Sequence, residues 1–68
     1  MTRYQINAHM IGESTAWEDT PAQTLSMATD EARTLGRRFV NPLGYKGYGP
    51  KVMVRDADSG EVLHEERL

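Results

Sequence analysis

The stretch KVMVRDADSGEVLHEER, Lys51 to Arg67, carries the reading on which the fold turns. Lys51–Asp56 alternates, with Val52 and Val54 facing one way and Met53 and Arg55 the other, and Glu61–Arg67 follows beyond Asp58-Ser59-Gly60. Period two marks a strand with one buried face, and Asp-Ser-Gly suits a tight turn ending in a left-handed residue. Strands over 51–56 and 61–67, joined as a hairpin, follow. A three-residue loop closed by Gly60 sets Ala57 opposite Glu61 and Val54 opposite His64. Val52, Val54, Val62 and His64 then share one face, leaving Met53, Arg55, Leu63 and Glu65 on the other. A four-residue loop would instead bring Leu63 beside Val54. Gly60 favours the first register, because it stands where that loop needs a positive φ.

Upstream, Leu25, Ala28, Ala32, Leu35 and Phe39 recur at helical spacing and form one apolar stripe. Thr20-Pro21-Ala22-Gln23 has the form of a capping box, with proline at the first helical position. Arg37 and Arg38 suit the negative end of the helix dipole. Pro42 forces Asn41 toward extended geometry and so bars continuation. The pattern predicts a helix over 21–38, with an end at Leu35 as the alternative. At the other end of the chain, Tyr4, Ile6, Ala8 and Met10 alternate with Arg3, Gln5, Asn7 and His9, which predicts a strand over 3–11. A turn at Gly12–Ser14 and a short return strand over Thr15–Glu18 follow.

The order strand, short strand, helix, strand, strand defines an α+β fold: a small, mainly antiparallel sheet of three or four strands with one helix on one face. The expected core is Tyr4, Ile6, Ala8, Met10, Leu25, Ala28, Ala32, Leu35, Phe39, Val52, Val54 and Val62. One helix covers one side of a sheet. The opposite side is expected to carry Gln5, Asn7, His9, Ile11, Met53, Arg55, Leu63 and Glu65, among which Ile11, Met53 and Leu63 are apolar.

Sixty-eight residues suffice for one domain, residues 1–68, and a chain of this size buries only about 60% of the surface its unfolded form exposes. With no cysteine, neither disulfides nor thiolate metal sites supplement so small a core, and a partner or self-association is the natural substitute. Apolar runs stop at two or three residues, so no membrane span and no signal sequence are expected, and the location is read as cytoplasmic.

Catalysis finds little material. Ser14, Ser26 and Ser59 have local roles in turns or the helix, and His9 and His64 fall on separate strands and opposite faces, so no nucleophile meets a base. His64 and Glu65 alternate to opposite faces, and Asp56-Ala57-Asp58-Ser59-Gly60 departs from a calcium loop where Gly60 replaces the next carboxylate. No catalytic residue, metal site or cofactor is expected, and the chain is read as no enzyme.

Charge is more informative. The net charge is −2, yet Arg33, Arg37, Arg38, Lys46, Lys51 and Arg55 follow one another with no carboxylate between Ala32 and Arg55. Within this segment Gly36–Lys51 (GRRFVNPLGYKGYGPK) adds Tyr45, Tyr48 and three glycines after Pro42. Two readings arise. Arg37, Arg38, Lys46 and Lys51 with Tyr45 and Tyr48 have the composition of a nucleic-acid contact, pairing phosphate neutralisation with base stacking. Alternatively, Tyr45 and Tyr48 join Ile11, Met53 and Leu63 in a surface for an unidentified protein partner or a second copy of the chain. Acidic flanks oppose the first reading, and three apolar groups on an uncovered face favour the second.

In composition the chain resembles small accessory proteins of bacteriophages and mobile elements: short, cysteine-free, with six arginines against two lysines. That resemblance implies binding to a host protein so as to block or redirect it. No motif stands behind it, and it assigns no residue a role.

Overall fold

The structure, a computed structural model, describes residues 2–10, 12–38 and 49–68. Their elements are β1 (Tyr4–Met10), β2 (Glu13–Ser14), β3 (Glu18–Thr20), α1 (Leu25–Arg37), β4 (Lys51–Asp56) and β5 (Val62–Arg67). The sheet runs β2-β1-β4-β5, with β3 pairing β1 beyond β2, and every pairing is antiparallel. One helix packs on one face of this sheet, so the α+β arrangement holds, with five strands in place of three or four.

Register explains the two faces. Ile6 lies opposite Val54 and Ala8 opposite Val52; all four are buried beneath α1 with Ala28, Ala32 and Leu35. Tyr4 is half-buried against this cluster. Helix and sheet meet through small side chains: Ala28, Ala32 and Gly36 recur every four residues along one helix face and are all buried. Gly36 is required by closeness and not by backbone conformation. A Cβ there would stand 2.6 Å from Val52 Cγ1 and 2.8 Å from Leu68 Cδ1.

Four expectations are corrected. First, α1 starts at Leu25, not at 21. Thr20 still pairs with Tyr4 at the end of β3, held extended ahead of Pro21, and its Oγ1 accepts from Ala22 N at 3.1 Å. The cap is Thr24, extended at φ −132° and ψ 157°, whose Oγ1 accepts from Met27 N. The sheet outcompetes the capping box for Thr20. The helix closes at Arg37, where Arg38 N–H donates to Leu35 O at 3.1 Å.

Second, the return strand over Thr15–Glu18 is instead β2 and β3, with an interruption between them. Thr15 N donates to Ala8 O, and Ala8 N donates to Thr15 Oγ1 in place of a backbone acceptor.

Third, the hairpin loop holds four residues, Ala57–Gly60. Asp56 N donates to Glu61 O and Gly60 N to Asp56 O, while Asp56 Oδ1 accepts from Asp58 N. Gly60 supplies the positive φ, +77°. Val54 nonetheless faces His64, because Arg55 faces Val62 and the ladder shifts between them. Leu63 is the extra residue of a β-bulge.

Fourth, the expected core loses members. Val62, set opposite Arg55 by the bulge, is 44% exposed. Leu25, in the first turn of α1, is exposed, and Met10 is only half-buried. Phe39 lies outside the described residues. Ala22, just before α1, joins the core unexpectedly.

Two stability outcomes follow. Thr24→Ala lowers stability by about 1 kcal/mol through loss of the cap, and Thr20→Ala costs less; the reverse order in urea melts would return the helix start to the capping box. Gly36→Ala destabilises by about 1–3 kcal/mol through overpacking, although alanine is the better helix former. A neutral or stabilised Gly36→Ala protein in the same melts would mean that the helix does not sit this close to Val52.

Candidate functional site: the sheet face opposite the helix

Alternation in β1, β3 and β4 sends Gln5, Asn7 and His9, Asp19, and Lys51, Met53 and Arg55 to the face away from α1, since their neighbours in each strand face the helix. Val62 joins them opposite Arg55 across the sheet, and Leu63 and Glu65 lie on the same side in β5. Val62 and Leu63 are 44% and 37% exposed, and Met53 is half-buried.

Much of the polar layer on this face is internally bonded. Asp19 Oδ1 accepts from Gln5 Nε2 at 2.9 Å, and Gln5 Oε1 accepts from Arg55 Nε at 2.9 Å. The Arg55 guanidinium lies 4.2 Å from the centroid of the Trp17 ring, within cation–π range. Lys51 is ion-paired with Glu65 across the β4–β5 ladder. Asn7, opposite Met53, is 8% exposed, and its Oδ1 accepts no hydrogen bond among the described residues.

Of the sequence-derived interface residues, Met53 and Leu63 therefore stand on one face, while Ile11, Tyr45 and Tyr48 lie outside the described residues. The basic set is divided. Lys51 is on the open face and held by Glu65. Arg37 and Arg38 are exposed at the end of the helix, on the other side of the sheet. Lys46 lies outside the described residues. Arg38 lines a groove of about 310 Å³ between β3 and α1 with Glu18, Glu31 and Thr34, so two carboxylates share that groove with it.

Reading the sequence for clusters passes over Gln5, Trp17, Asp19 and Arg55, because they come from three separate segments. A partial signal existed: Trp17 is the single tryptophan, and Arg55 follows the apolar run Val52-Met53-Val54.

On the helix face a second polar group ties α1 to β5. Arg33 donates through Nε to Glu66 Oε1 and through Nη2 to Oε2. His64 Nε2 lies 3.5 Å from the same Oε1, outside hydrogen-bonding geometry. The hydrogen bond from Arg33 holds the Glu66 carboxyl below its ordinary range; desolvation opposes this, and the charges of Arg33 and His64 add to it. The same bond raises the Arg33 guanidinium. Among the described residues no three of His, Asp and Glu are placed to hold a metal ion, and no helix is long and apolar enough to cross a membrane.

Comparison with known proteins finds no matching family model, no matching curated protein and no matching solved structure.

The depressed Glu66 carboxyl gives a signed expectation. Its contribution is present above the unfolded value near 4.5 and is lost as pH falls through the lower folded value. Thermal melts of the parent protein from about pH 7 to about pH 3 should therefore fall on the acid side, and Glu66→Gln should be less stable at neutral pH with a shallower acid decline. Parallel pH profiles for the two proteins would show that the Arg33–Glu66 pair contributes nothing.

Proposed function

We propose that this chain is a non-catalytic protein-binding module that holds a partner protein against the sheet face opposite α1 and acts sterically. The observation supporting this reading is the patch of Met53, Val62 and Leu63 at the bulge of β5, exposed or half-exposed on a face where α1 does not lie. An apolar patch on so small a domain is costly to leave in water and is a usual mark of an interaction surface. The compositional likeness to accessory proteins that bind host targets agrees with this reading.

A different protein suits the patch better than a second copy. Among the described residues β5 is a sheet edge, but two-fold pairing of β5 with itself about Glu65 or Glu66 sets identical carboxylates opposite one another. The bulge at Leu63 further distorts the edge against regular pairing. The nucleic-acid reading gains no support from Lys51, Arg37 and Arg38, which do not share a surface.

Leu63→Ser and Met53→Ser test the proposal. Leu63 is 37% exposed, so Leu63→Ser is expected to cost less than about 1 kcal/mol in stability and to stay folded by circular dichroism. Affinity capture from lysate should lose with both variants whatever protein the parent chain retains. A folded Leu63→Ser protein with unchanged capture and unchanged sedimentation leaves the patch without a role.

A further inference from the structure

We infer that Arg55 is a carboxylate receptor at the centre of this face, and that the partner presents an aspartate or glutamate side chain flanked by apolar residues. The inference rests on the docking reading above and names the chemistry of what docks there.

Arg55 is held on two sides. Its Nε donates to Gln5 Oε1, and Gln5 is itself oriented by donating to Asp19 Oδ1. Its Cζ lies over the Trp17 ring, 4.2 Å from the centroid. These two contacts restrain the guanidinium, and neither Nη group has a protein acceptor among the described residues. Arg33 meets Glu66 and Asp30, Arg3 meets Asp58, and Lys51 meets Glu65, whereas no carboxylate of the described residues lies within ion-pair distance of Arg55. The same is true of Arg37, Arg38 and Arg67, but of these four Arg55 is the one held by both a side-chain hydrogen bond and an aromatic ring among the described residues. A guanidinium pre-positioned in this way matches a carboxylate in two-point geometry and loses little further rotamer freedom on binding.

The surroundings narrow the ligand. Val62 lies directly opposite Arg55 in β5, Leu63 is the bulged residue beside it, and Met53 lies two residues earlier on the same face of β4. An acid entering between these groups brings apolar neighbours onto them. Tryptophan and arginine at the centre of an apolar rim are the side chains that most often dominate protein interfaces. A free anion would satisfy the guanidinium but leave the rim uncovered, so the carboxylate belongs to a peptide segment.

Panning a displayed random-peptide library against the full chain tests this directly. The expected selection is peptides with Asp or Glu beside Leu, Ile, Val, Met or Phe. The selected peptides should shift the emission of Trp17, the only tryptophan in the chain. Replacing the peptide's own Glu by Gln should weaken binding at least about tenfold, a probe-side change that cannot unfold the protein. Arg55→Lys, which keeps the charge but not the fork or the stack, should show a comparable loss while remaining folded by thermal melt. No enrichment over an unrelated control, enrichment of peptides without acids, or indifference to the Glu-to-Gln change overturns the receptor. If non-acidic peptides are selected and Leu63→Ser weakens them, docking on this face stands and the carboxylate receptor falls. If binding is indifferent to both Arg55→Lys and Leu63→Ser, both fall. Tight binding of a single-stranded oligonucleotide that Arg55→Lys abolishes would also overturn the peptide assignment.

Discussion

Everything in this fold depends on how closely α1 approaches β4. Gly36 lies where any Cβ would meet Val52 Cγ1, and Ala28 and Ala32 continue the same face toward the first turn of the helix. With so little side chain between helix and sheet, the buried layer consists of alanines, valines, one isoleucine and one leucine. Valine is the largest fully buried side chain among the described residues. Short contacts gain dispersion energy from many atom pairs at close range, but the apolar area removed from water stays modest. A fold stabilised in this way tolerates loss of volume at a few places and addition of volume at almost none.

Closeness of the helix also fixes what it cannot reach. Its small-residue face covers β1 and β4, and at β5 the contact passes to long side chains, where Arg33 meets Glu66. The far strand is thus joined to the helix by polar and not apolar contact. Its own apolar residues, Val62 and Leu63, turn to the other side around the bulge. That bulge reconciles two demands. The Asp56 turn closes a four-residue loop with its own side chain as acceptor, and Val54 keeps His64 opposite it. One surplus residue absorbs the difference, and it is Leu63.

The opposite face is organised by a different rule. Its order comes from hydrogen bonding and stacking through Asp19, Gln5, Arg55 and Trp17, with the Lys51–Glu65 pair beside it. Polar layers of this kind hold side chains in single orientations without needing bulk. The sheet therefore has one face of small apolar groups beneath α1, bordered by the Arg33–Glu66 pair, and another of oriented polar groups with exposed apolar side chains at its edge.

Several of these features were legible along the chain. Period-two alternation located β1 and β4, the glycine-terminated turn located β5 as the second arm of a hairpin, and the four-residue recurrence of Ala28 and Ala32 located the helix, because each is a local pattern set by backbone geometry. The Val54–His64 pairing was legible too, although the loop that leads to it was not. What the chain did not reveal was competition. Thr20 has the chemistry of a cap, but pairing with Tyr4 claims it, and Thr24 takes the role. Val62 has the pattern of a core residue, but the bulge turns it outward. Trp17 and Arg55 are far apart in sequence, and only the antiparallel arrangement of β3, β1 and β4 brings them together over Gln5. Sequence alone determines which residues can form a helix or a strand, since that is decided within a few neighbours. Tertiary structure decides which of two competent residues is used and which side chains meet, since those choices depend on partners in other strands of the sheet.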